Sequence, residues 1–241
     1  MITYILLATF LISLLSLVGI FSLYFKKKTL DNVLFYFVSL SVGALLGGAF
    51  LHLIPEAYTS IGSLTFIFVI IGFLLFFCVE KILHWHHCHK GECHIHPFGY
   101  VNLIGDAVHN FIDGLIISAA FLSSITLGWT TTLVIALHEL PQEIGEFGVL
   151  LYAGFKKKKA LFFNFISALS TVLGGIIGIL LSNYVSSFII YLLPIAAGGF
   201  LYISASDLVP ELKKETGLKK SLIYLVIVII GIALVSLIKG E

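Results

Sequence analysis

Two stretches of this sequence gather side chains able to ligate a metal: Asp106, His109, Asn110 and Asp113 in the first, His138, Glu139, Gln142, Glu143 and Glu146 in the second. Imidazole nitrogens suit zinc, iron or copper, and carboxylate or carboxamide oxygens extend the range to manganese and cadmium-like ions. At 3.6 residues per turn, Asp106, His109 and Asp113 share one helical face with Asn110 beside it. In the second stretch His138 and Gln142 form one row, and Glu139, Glu143 and Glu146 the adjacent one. Five or more such groups can hold two ions that share a carboxylate. The alternative is a proton relay, or polar glue between helices. Nine polar groups on two adjoining helices favour a metal, because each would cost about 2.5 to 3.5 kcal/mol if ionised and facing lipid.

That penalty applies because the chain must lie in a bilayer. It has 241 residues, 59% of them hydrophobic and 11% charged, with mean hydropathy +1.09. A soluble domain carries about a quarter charged residues, so no water-facing shell can be built from this composition. Segments of about 20 apolar residues span the hydrocarbon core. Eight are expected, at 2–25, 32–57, 60–83, 98–123, 128–154, 160–183, 186–209 and 220–238, making residues 1–241 one all-α polytopic transmembrane domain. The first segment is too long for a signal-peptide core and no basic residue precedes it, so it reads as a retained helix. The net charge of +1 gives no reason to expect nucleic acid, and the three cysteines do not suggest a disulfide framework.

There is no arginine, and thirteen of the fourteen lysines fall in alternate connections: Lys26 to Lys28, Lys81 and Lys90, Lys156 to Lys159, and Lys213, Lys214, Lys219 and Lys220. Basic residues stay on the cytoplasmic side, so this alternation predicts an even number of spans with both termini outside. The second segment contains Gly47-Gly48 and then Pro55-Glu56, and the seventh Gly198-Gly199 and then Pro210-Glu211. The two run in opposite senses, the pattern expected of an inverted repeat in a transporter.

The fourth and fifth segments, joined by a short turn expected at Ser123 to Gly128, must be antiparallel neighbours. Counted from Thr126, Asp113 and Glu139 are each thirteen residues away and His109 and Glu143 seventeen, which predicts these pairs at matching depth. Pro141 leaves the carbonyl of Leu137 without its helical partner, and Pro55 acts similarly beside His52 and Glu56. Such a carbonyl is tolerated in the membrane only where protein or a wet cavity satisfies it.

The strings His109-Asn110-Phe111-Ile112-Asp113-Gly114 and His138-Glu139-Leu140-Pro141-Gln142-Glu143 resemble the paired signatures of the ZIP (Zrt/Irt-like) metal transporters. The resemblance covers the whole chain. It implies a 3+2+3 arrangement of the eight helices, with the outer threes as the inverted halves, and uptake of zinc into the cytoplasm, with iron, manganese or cadmium as alternative cargo. It also implies a binuclear centre between helices 4 and 5. Carried over residue by residue, His109, Asp113, His138 and Gln142 match one site, and Asn110, Asp113, Glu139 and Gln142 the second. Gln142 stands where similar proteins place His or Glu, and its neutral amide is the weaker ligand. Family habit further implies a homodimer, while lysine without arginine and abundant Ile and Phe suggest an AT-rich microbial genome and so a cell membrane location, the cytoplasmic membrane if the source is prokaryotic.

Beyond the centre, His52 and Glu56 are candidates for gathering metal at the outer end of the second helix. Asp106, Glu143, Glu146, Asp207 and Glu211 are candidates for the inward route. The stretch 84–97 is expected to be a cytoplasmic loop that binds zinc after passage, through His84, His86, His87, Cys88, His89, Cys93, His94 and His96. The rival reading is an intramembrane metallohydrolase, since His138-Glu139 begins an H-E-x-x-H pattern. The fifth position is Gln142 and Pro141 breaks the row, which counts against it.

Overall fold

The computed structural model describes residues 1–24, 27–85, 95–184 and 188–238. Among these residues there is no strand, and the helices form eight spans. α1 is Ile2–Leu14, continued by the 3-10 helix Leu15–Tyr24. α2 runs Lys27–Gly47, widens to a π-helix over Gly48–Leu53 and resumes as Ile54–Ile61. α3 is Leu64–Trp85, α4 Ile95–Ser123 and α5 Ile125–Tyr152. α6 joins Lys157–Ala168 to Ser170–Tyr184. α7 comprises Phe188–Tyr202, a π-helix over Ile203–Leu208 and Val209–Leu212, and α8 is Leu218–Ser236.

Seven of these helices are long and apolar enough to cross a membrane. α5 has the length, 28 residues, but the polar run from His138 to Glu146 dilutes its apolar content. Burial separates centre from rim: 56% of the most apolar window is buried in α2, α4 and α7, against 17% in α3 and α8. The rim helices turn residues such as Phe66, Ile70, Leu74, Leu225 and Ile229 outward, as a surface against hydrocarbon requires.

Contacts fix the direction of each span. Asp113 meets His138 while Asn102 meets Glu146, so α4 and α5 are antiparallel. Ser41 meets Leu137 and Gly48 meets Val134, so α2 also opposes α5. Ser13 donates to the Ala168 carbonyl while Thr9 packs on Gly175, so α1 opposes α6. Ser167 and Ser170 bond the Leu103 and Ala107 carbonyls, so α4 and α6 run together. The same holds for α2 with α8, through Gly43 on Val228 and Gly47 on Val235, and for α3 with α7, through Gly72 on Ile195 and Gly199 on Phe76. α3 leaves α2 by the short turn at Gly62 and Ser63 and so opposes it, and successive spans alternate in direction. Exchanging α1–α3 with α6–α8, and α4 with α5, maps the pairs α2·α8 and α3·α7 onto each other. It also maps α4·α6 onto α1·α5, the pattern an inverted repeat requires.

The two prolines of the repeat do more than free a carbonyl. Pro55 and Pro210 each follow a π-helical stretch, and in each the amide just before the proline bonds five residues back, Ile54 to Ala49 and Val209 to Ser204. A missing N–H and a ring pressing on the preceding turn are relieved by widening that turn. At Pro141 the relief is different: the freed Leu137 carbonyl accepts a hydrogen bond from Ser41 of α2 at 2.6 Å. Ser41→Ala is expected to leave that carbonyl buried and unpaired at a cost of about 1 to 3 kcal/mol. A lowered thermal unfolding midpoint of the purified protein in detergent, with native zinc affinity, is the expected result.

Candidate metal centre

α4 ends at Ser123 and Ser124 already caps α5, its hydroxyl accepting from the Leu127 amide at 3.1 Å. The turn is thus centred two residues before Thr126, and Asp113 keeps its expected level with Glu139 while His109 does not keep its own with Glu143. His109 meets Glu139 rather than Glu143, and Asp113 meets His138.

Four side chains converge at that register. His109, Asp113, His138 and Glu139 each present one ligand atom, all within 4.8 Å of one another. The spacings are 3.3 Å between His138 Nε2 and Asp113 Oδ2, 3.4 Å between His109 Nε2 and Glu139 Oε1, 3.5 Å between His138 Nε2 and Glu139 Oε1, and 3.8 Å between His109 Nε2 and Asp113 Oδ2. Ligands about 2.0 to 2.1 Å from a tetrahedrally bound zinc stand about 3.3 Å apart, so these atoms surround a space of the right size. None of the four ligand atoms has a hydrogen-bond partner, and Asp113 has neither oxygen satisfied. Asp113, His138 and Glu139 are 1% exposed and the His109 side chain 20%, so the centre is sealed except past His109. Buried polar atoms without a hydrogen bond each cost free energy, and a dication held among the four would offset that cost.

The imidazole of His138 is set for ligation. Its Nδ1 lies 3.2 Å from the Val134 carbonyl, which can only accept, so Nδ1 donates there and Nε2 faces the centre. The rings of His109 and His138 stand 5.7 Å apart at 83°. Gly114, next to Asp113, lets α4 approach α6 closely: a Cβ there would fall 2.0 Å from the Thr171 carbonyl oxygen.

The other sequence candidates divide into groups. Asn110 is buried, but its amide is occupied: Nδ2 donates to Asp106 Oδ1 at 3.0 Å, and Oδ1 accepts from Thr171 at 2.8 Å. Gln142 is half-buried beside Asp106. Below the centre, Asp106 and Glu143 are buried and Glu146 half-buried. Asn164 donates to Glu143 Oε2 at 2.6 Å, and Asn102 donates to Glu146. His52 Nε2 lies 2.9 Å from the Val235 carbonyl of α8, and Glu56 accepts from the Ser123 hydroxyl, so both join α2 to its neighbours. Asp207 and Glu211 are exposed at the end of α7, with Glu211 paired to Lys214. Of the His-rich stretch, His86, His87, Cys88, His89, Cys93 and His94 lie outside the described residues, as do the side chains of His84 and His96.

Sequence reasoning passed over Ser41, Asn102 and Thr171. Asn102 had a signal, standing four residues before Asp106 on the same face of α4. Thr171 and Asn164 are seven residues apart, two turns along one face of α6, a polar stripe in an apolar helix.

Comparison with known proteins points one way. A family model described as ZIP zinc transporter matches residues 2–97 and 86–239. Zinc transporter zipt-7.1 of Caenorhabditis briggsae is 30% identical over 83% of this chain and 70% of its own length. Zinc transporter ZIP13 of Pongo abelii is 34% identical over 83% of this chain and 65% of its own length. Zinc transporter ZIP10 of Homo sapiens is 37% identical over 55% of this chain, but only 18% of that longer protein is matched.

Proposed function

Because the chain belongs to the ZIP zinc transporter family, we propose that it carries zinc inward across the cell membrane by way of His109, Asp113, His138 and Glu139. The protein is a transporter and not an enzyme. The observation that carries the reading is the set of four unpaired buried ligand atoms at zinc-like spacing. Asp113 and Glu139, one from each helix, supply the negative charge that draws a dication in, and the two neutral imidazoles supply selectivity for transition metals over magnesium or calcium. Gln142 and Asn110 complete the ligand set when a second ion binds, Asn110 only by giving up its bond to Thr171. Iron, manganese and cadmium are secondary cargo on the same chemistry.

With the lysine-bearing connections in the cytoplasm, both termini lie outside. His52 and Glu56 then mark the outer approach, and Asp106, Glu143, Glu146, Asp207 and Glu211 the inner side. The His-rich stretch receives zinc after passage, the source membrane being the cytoplasmic one if the organism is prokaryotic. Two copies associate through their lipid-facing helices.

Purified protein in proteoliposomes containing a zinc-sensitive dye tests the direction. Zinc added to vesicles whose termini face outward should enter at a saturable rate. Movement only out of such vesicles would reverse the proposed direction.

A further inference from the structure

Below the centre, toward the ends of α4 and α5 nearest the lysine-bearing connections, stand Asp106 on α4, opposite the turn of α5 that carries Gln142 and Glu143, and Glu146 one turn further on, and each of the three carboxylates accepts from a carboxamide. Asn110 Nδ2 donates to Asp106 Oδ1 at 3.0 Å, Asn164 Nδ2 donates to Glu143 Oε2 at 2.6 Å, and Asn102 Nδ2 donates to Glu146 Oε2. The amide orientations are fixed independently. The Oδ1 of Asn110 accepts from Thr171, and the Nδ2 of Asn164 also faces the Ser16 carbonyl at 3.3 Å. In the two buried cases only one oxygen is engaged. Asp106, 4% exposed, keeps Oδ2 without a partner, and Glu143, 0% exposed, keeps Oε1 without one.

The choice of partner matters. A lysine would orient a carboxylate but cancel its charge. A carboxamide orients it and leaves the charge in place. The chain has no arginine, and no lysine lies between residues 91 and 155, so no lysine or arginine on α4 or α5 below the centre competes for these oxygens. Glu139, Glu143 and Glu146 lie four and then three residues apart, about one turn or 5 Å per step. Asp106 stands across on α4, in electrostatic contact with Glu139, Glu143 and Glu146. Among the described residues only His109, Asp113, His138 and Glu139 form a preassembled chelate. The lower carboxylates therefore offer one oxygen at a time.

We propose that Asp106, Glu143 and Glu146, each oriented by its own carboxamide, form a descending relay that takes the divalent cation from the centre and passes it inward. Asn110, Asn164 and Asn102 act as positioning residues. The partnerless oxygens of Asp106 and Glu143 lower the barrier to leaving the four-ligand centre, and the lack of a second chelate among the described residues keeps the ion from being trapped below it. The relay rests on the reading of the four-residue centre as the zinc site.

The test separates binding from flux. Glu143→Gln keeps the shape and removes the charge, whereas Asn164→Ala keeps the charge and removes the tether. For each, equilibrium binding of radioactive zinc to detergent-purified protein is compared with the maximal uptake rate in proteoliposomes. The expected result is affinity within about threefold of the native protein and a maximal rate at least tenfold lower. If Glu143→Gln does not yield folded protein, Glu146→Gln and Asn102→Ala at the half-buried end of the relay carry the same expectation. Native rates in these variants overturn the relay. Loss of binding in step with rate also overturns it, since these groups would then be part of the centre. His138→Ala is measured alongside: binding retained there would refute the zinc centre itself, whatever the relay variants do.

Discussion

His138→Ala is expected to abolish zinc uptake and to weaken zinc binding by at least about 100-fold. Residues that hydrogen-bond to metal ligands already contribute about 10- to 100-fold each, and His138 is proposed here as a direct ligand, with its Nδ1 facing the Val134 carbonyl. The loss should not come from unfolding. In the metal-free protein Nε2 of His138 is buried without a hydrogen bond, so removing the imidazole leaves no broken hydrogen bond at that atom and costs some packing. The check is uptake into proteoliposomes together with the thermal unfolding midpoint of the metal-free variant. Uptake at the native rate would remove His138 from the transport path.

The second large effect concerns the helix pair that carries Asp113. Gly114 and Gly174 bring α4 and α6 into backbone contact, an added Cβ falling 2.0 Å from the Thr171 carbonyl oxygen at the first and 2.0 Å from the Phe111 carbonyl oxygen at the second. Neither obstacle is a side chain that can swing aside. Gly114→Leu should therefore push the helices apart and cost about 3 kcal/mol or more, at the upper end of overpacking penalties. It should also break the Thr171–Asn110 bond across the same contact. Gly145→Ala is the matched control, since a Cβ there meets nothing within 4 Å. The expected outcome is a Gly114→Leu protein that aggregates or unfolds early in detergent, beside a Gly145→Ala protein that behaves like the native one.

Much of this was readable in the amino-acid order because membrane physics leaves few options. Unpaired carboxylates and imidazoles cannot face lipid, so Asp113, His138 and Glu139 had to point inward, and they do. What escaped was set by contacts between distant segments. A two-residue error in the centre of the turn, at Thr126 instead of Ser124, was enough to pair His109 with Glu143 rather than Glu139. The fate of the Leu137 carbonyl depends on Ser41, 96 residues away. The role of Asn110 depends on Thr171 in a helix whose rotation periodicity alone does not fix. The π-helical turns before Pro55 and Pro210 are likewise local responses to packing that a proline in a sequence does not specify.

X-ray absorption at the zinc edge reads the ligand set directly. The sample is purified protein in which the histidines and cysteines of residues 84–96 are replaced by serine, so that only the membrane centre can bind. The spectrum should show two imidazoles with carboxylate oxygens at about 2.0 to 2.2 Å, and the imidazole scattering should disappear in the His109→Ala, His138→Ala double variant. A zinc-loaded protein whose spectrum is unchanged by that double substitution would contradict the central claim.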